Sequence, residues 1–155
     1  MRFFGLVAAS VFIASSAVAA PGDISPDPAV VAKIEQFLSL CTGSATLEQA
    51  GKEVVAAGLV HISRLDVNNP RQLDDDALRF SFKKAYSNAK FYEPRITRVA
   101  TTPTTAVGYG ATAQKGQIHK YFIAKKPGVN GMPAPLQVFV PSTGGPPVIY
   151  DWGSL

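Results

Sequence analysis

Cysteine is almost missing from this chain: Cys41 stands alone, so no internal disulfide can form. A domain without cross-links must be held by an apolar core. Catalytic signatures are missing as well. There is no Gly-x-Ser-x-Gly, and Ser142-Thr143-Gly144-Gly145-Pro146-Pro147 reads as a hairpin loop rather than a nucleophile elbow. Gly108-Tyr109-Gly110 lacks both the third glycine and a following helix, which excludes a dinucleotide fingerprint. The two histidines, His61 and His119, stand in no His-x-His spacing, and neither a Cys-x-x-Cys nor a calcium loop occurs. Asp74, Asp75 and Asp76 are adjacent, and adjacent helical residues do not converge on one ion. No metal and no cofactor is expected. Past the first twenty residues no stretch approaches the roughly 20 apolar residues that cross a bilayer.

What is present begins with an export signal. Arg2 supplies a charge, Gly5 to Ala14 an apolar run, and Ala17-Val18-Ala19 small residues at a cleavage site. Residues 1–19 therefore read as a secretory signal peptide, with the mature chain starting at Ala20 and destined for the periplasm or the exterior. No cysteine at the cleavage site indicates a lipid anchor. Residues 20–27 read as a flexible leader and 28–155 as one domain, the size at which a single core suffices. The chain is 46% apolar and 17% charged, in the range of a globular protein rather than a disordered one.

Periodicity divides that domain in two. Asp27-Pro28 suits a helix start, and Val30, Val31, Ile34, Phe37, Leu38 and Cys41 keep to one helical face. Thr46 and Gln49 form a capping-box pattern for a second helix, which Gly58 ends with Leu59 folding back. A third helix is expected from Asp74, with Leu73 and Leu78 as a staple and Pro94 beyond its end. After Pro94 the period becomes that of strands. The expected strands are 95–100, 105–112, 117–125, 136–140 and 148–152, separated by Pro and Gly clusters. In the third, Ile118, Lys120 and Phe122 oppose His119, Tyr121 and Ile123; in the fourth, Phe139 opposes Leu136, Val138 and Val140. Strands joined without intervening helices predict an α+β domain, amphipathic helices packed on one face of an antiparallel meander of four to five strands.

Charge is unevenly spread over this plan. Residues 20–78 hold four basic and nine acidic residues, a balance of −5, whereas residues 79–126 hold ten basic and one acidic, a balance of +9. Lys83, Lys84, Lys90, Arg95, Arg98 and Lys120 are the candidate binding residues of a basic surface. The expected partner is an anionic envelope polymer, a lipid head group or an acidic protein. Nucleic acid is not expected, because the aromatics form no stacking motif and the chain is exported.

The run Phe37-Leu38-Ser39-Leu40-Cys41, with Ala50 and Ala56-Ala57-Gly58 after it, resembles the opening of small exported proteobacterial proteins of unknown function. The resemblance covers residues 37–59. Those proteins carry a second cysteine and a tryptophan after the glycine, where this chain has Leu59 and no second cysteine. It implies location and fold, and no activity. The reading that follows is an exported, non-enzymatic binding or interaction protein. Two alternatives stand beside it: a small hydrolase or transferase using Cys41 or a histidine, and an assembly protein that pairs through a sheet edge.

Overall fold

The computed structural model describes residues 24–61, 63–65, 76–103, 105–108 and 110–155. The expected signal peptide, its cleavage site and the Leu73–Asp74 start of the third helix lie outside the described residues. Among the described residues three α-helices come first: α1 (Pro28–Gly43), α2 (Leu47–Ala56) and α3 (Asp76–Asn88), the last running into a 3₁₀ turn, Ala89–Phe91. Five strands follow: β1 (Tyr92–Thr101), β2 (Thr105–Val107), β3 (Gln114–Lys125), β4 (Ala134–Pro141) and β5 (Val148–Asp151). The domain is α+β, with the helices packed against an antiparallel sheet.

The helix ends obey local chemistry. Asp27 Oδ1 accepts from the Ala29 N–H at 2.9 Å, with Pro28 at the first helical position where its missing N–H loses nothing. Thr46 Oγ1 accepts from the Gln49 N–H at 3.1 Å. The Gln49 side chain does not complete the box: it turns forward and donates to Glu53 Oε1 at 2.8 Å. Gly58 takes φ +62°, and the Leu59 N–H reaches back to the Val54 carbonyl at 3.1 Å. That left-handed turn lets the chain leave α2 towards the sheet.

Strand β3 is the spine of the sheet. It pairs with β4 along eight residues on one side; on the other, β1 pairs with its second half and β2 with its first three residues. The expected strand 105–112 is shorter, because Gly108 and Gly110 both take positive φ and the chain turns into a 3₁₀ segment, Gly110–Thr112. β5 pairs with β4. Both sheet edges receive a further segment: the Ile24 N–H donates to the Val99 carbonyl at 3.1 Å, and Val60 forms a parallel bridge to Ile149.

One core fills the space between helices and sheet. Val30, Ile34, Phe37, Leu38 and Cys41 of α1 meet Phe82, Ala85, Tyr121, Ile123, Leu136, Val138, Ile149 and Trp152. Phe37 and Phe82 flank the Trp152 ring at centroid distances of 6.0 and 5.7 Å. Burial on this scale, about 25 cal/mol per Å² of apolar surface, is what replaces the missing disulfides.

Candidate functional site

The described helices pack against one face of the sheet, and the opposite face carries the other half of the alternating side chains. Alternation along the paired strands puts Arg98, Lys120, Phe122, Ile118, Gln137 and Phe139 there. Two features occupy it, a basic strip over β1 and β3 and a cleft beside β5.

In the strip, the Arg98 guanidinium lies 4.1 Å from the centroid of Phe122, its register partner. Lys120, opposite Ala100, is its diagonal neighbour. Arg95 is exposed on the same strand as Arg98 and bonded to Glu93 at 2.7 Å. The three helical candidates lie elsewhere. Lys83 and Lys84 are exposed on α3, and Lys90 is exposed on the 3₁₀ turn over the ring of Phe91. Lys84 Nζ donates to the Gly153 carbonyl at 3.2 Å. The six candidates thus divide between the two layers: Arg98 and Lys120 face away from the helices, and Lys83, Lys84 and Lys90 belong to the helical layer.

The cleft is built by the turn after α2. The His61 N–H donates to the Ile149 carbonyl at 2.8 Å and the Ile149 N–H to the Leu59 carbonyl at 2.7 Å, so residues 59–61 are strapped along β5. His61 is thereby carried over the open face and is only 3% exposed. Its ring stands edge-on to Phe139 at 5.6 Å and to Tyr150 at 5.8 Å. Nδ1 accepts from the Ser63 N–H at 3.2 Å and lies 2.7 Å from the Ser63 hydroxyl. Burial holds its pKa below the ordinary histidine range. Arg64, in the same turn, lies over the Tyr150 ring at 5.3 Å and 3.5 Å from Asp151 Oδ1. Asp151 is held in turn by Gln137 and the Gly153 N–H, both at 3.0 Å. Beside His61 a cleft of about 420 Å³ opens between Val60 and the β4–β5 loop, walled by Pro141, Pro146 and Val148 with Gln114 and Thr143 at its polar side.

The nucleophile candidate fares differently. Cys41 is 1% exposed on the core side of α1, and burial pushes its thiol up to about 12. A thiol that stays protonated at neutral pH is no nucleophile. His119 faces the core side next to Tyr121; burial lowers its pKa, with Asp27 acting against that, and its Nε2 lies 3.4 Å from Gln117 Oε1. No group of three His, Cys, Asp or Glu residues able to hold a metal occurs among the described residues. Among them, too, no helix is long and apolar enough to cross a membrane.

In the sequence His61 enters only as one of the two histidines of the alternative enzyme reading. Its position depends on the strap to Ile149, a pairing 88 residues away with no spacing signature. Gly58 followed by Leu59 was the one local sign that the chain turns sharply here. Comparison of the chain with protein-family models, with curated proteins and with solved structures finds no match.

Proposed function

We propose that this is an exported, non-enzymatic binding protein that engages an extended anionic polymer of the cell envelope through the sheet face opposite its described helices. The observation that carries the reading is the Arg98–Phe122 stack beside Lys120. The stack fixes the Arg98 guanidinium over the Phe122 ring on the same sheet face as Lys120, so two cations lie side by side there. Gln137 and Ala100 stand level with Lys120 on the neighbouring strands, and Gln137 donates to Asp151 at 3.0 Å. Cations spaced along paired strands suit an extended polyanion better than a single head group enclosed in a pocket. Export rests on the sequence of residues 1–19 and on nothing else. Burial of Cys41 speaks against a thiol enzyme, and the segments at both sheet edges speak against assembly by edge pairing.

The experiment is retention on a dextran sulfate column and on phosphatidylglycerol vesicles across a salt series. Retention on the polymer should fade as the screening length falls from about 10 Å at 0.1 M salt to about 3 Å at 1 M. Arg98→Glu with Lys120→Glu should lower it more than Lys83→Glu with Lys84→Glu. No retention at low salt, equal losses for the two pairs, or stronger retention on the vesicles than on the polymer would each overturn the reading.

A further inference from the structure

We infer that the cleft between residues 59–61 and the β4–β5 loop binds a small neutral carbonyl compound with an apolar body, held by the Nε2–H of His61. The inference does not depend on the basic strip.

His61 is fixed at every point but one. Its own N–H bonded to the Ile149 carbonyl, and the Ile149 N–H bonded to the Leu59 carbonyl, hold this segment against β5, and Phe139 and Tyr150 hold its ring from two sides. The Ser63 N–H, which can only donate, meets Nδ1 and so makes that nitrogen the acceptor. In the neutral ring the proton therefore sits on Nε2. That Nε2 is buried and has no hydrogen-bond partner among the described residues. A buried donor left unmade costs about 1–3 kcal/mol, and an acceptor that reaches Nε2 from the cleft His61 lines would remove that penalty. The donor is preorganised, as binding groups are when a site is built rather than incidental.

The cleft sets the rest of the ligand. Its volume of about 420 Å³ lies in the range of small-molecule sites, about 300–1,000 Å³. Val60, Val148, Pro141 and Pro146 offer apolar walls, and Gln114 and Thr143 can meet a second polar atom. None of the described residues that line it is charged. Arg64, the nearest cation in the turn, is turned to Asp151 and the Tyr150 ring. A carboxylate would lose its hydration to a single neutral donor, which is unfavourable, whereas a ketone, ester or amide carbonyl asks for no more than that.

The test is ring ¹⁵N and ¹H NMR of the whole mature protein with labelled histidine, titrated separately with cyclohexyl methyl ketone, cyclohexanecarboxylate and isopropylcyclohexane. The ketone should shift the His61 Nε2 signals saturably. The carboxylate and the hydrocarbon, each lacking one element of the match, should bind about ten-fold or more weakly. His61→Phe keeps the edge-on packing and removes the donor, so ketone binding should fall about ten-fold. Val148→Trp should abolish binding by filling the cleft while His61 keeps its free-state signals. His61→Phe should leave dextran sulfate retention unchanged, which separates this site from the sheet-face reading. Absence of a saturable shift in the unmutated protein, tighter binding of the carboxylate than of the ketone, or unchanged ketone affinity in His61→Phe overturns the proposal.

Discussion

The main-chain N–H of Ser63 lies 3.2 Å from Nδ1 of His61 and sets the protonation of a buried imidazole. Protonating that nitrogen would bring two N–H groups head to head, in a site already dry enough to disfavour charge. Local turn chemistry after α2 and the long-range strap to β5 thus converge on one side chain.

The pH dependence follows from that burial. The His61 pKa lies below its ordinary value of about 6.5, which it recovers on unfolding. Between those two values the unfolded chain binds more protons than the folded one, so stability is complete above about pH 6.5 and declines as pH falls towards the folded-state pKa. His119 shifts in the same direction, again chiefly through burial. Urea unfolding at pH 5 and pH 8 should show lower stability at pH 5, and His61→Phe should narrow the difference. A variant with the full difference would mean that His61 titrates normally in the fold.

A second prediction concerns Gly116, which faces Phe139. A β-carbon at Gly116 would meet the Val140 carbonyl oxygen and lie 2.5 Å from Cε2 of Phe139, so the ring occupies space that only glycine leaves open. Gly116→Ala should destabilise by about 1–3 kcal/mol through overpacking. Gly43 ends α1 with nothing within 4 Å of an added β-carbon and no positive φ. Gly43→Ala should raise stability by about 0.4–1 kcal/mol. Chemical denaturation of both variants checks the pair, and a neutral Gly116→Ala would mean that Phe139 can move aside.

The helices and most strands were legible because their signals are local. The α1 stripe from Val30 to Cys41, the Thr46 cap and the Gly58 stop each act within a few residues, and the structure places all three as expected. Alternation in β3 and β4 separated Tyr121 from Phe122 and Val138 from Phe139 correctly. What alternation cannot supply is the cover on a second face. Phe139 is wholly buried away from the main core because His61 comes over it from another part of the chain. The basic run shows the same limit. Lys83 and Arg98 are 15 residues apart in one positive stretch, yet the turn from α3 into β1 sends them to different layers.

The last prediction uses Cys41, the single thiol, as a reporter of the helical layer. Its pKa of about 12 leaves about one thiolate in 10⁴ at pH 8, and its side chain is shielded among α1 core residues. Alkylation in the native state should therefore proceed only through opening of the α1 packing, at a rate that rises with urea and tracks stability. Cys41→Ala should cost about 1 kcal/mol, the ordinary consequence of removing a small buried group. Retention on dextran sulfate should be unchanged, because Cys41 lies on the opposite side of the sheet from Arg98 and Lys120. Rapid labelling without urea, or lost retention at undiminished stability, would instead mark Cys41 as a reactive group and return the thiol enzyme to consideration. Mass spectrometry of the alkylated chain over a time course, run beside the denaturation curve, reads both outcomes from one sample.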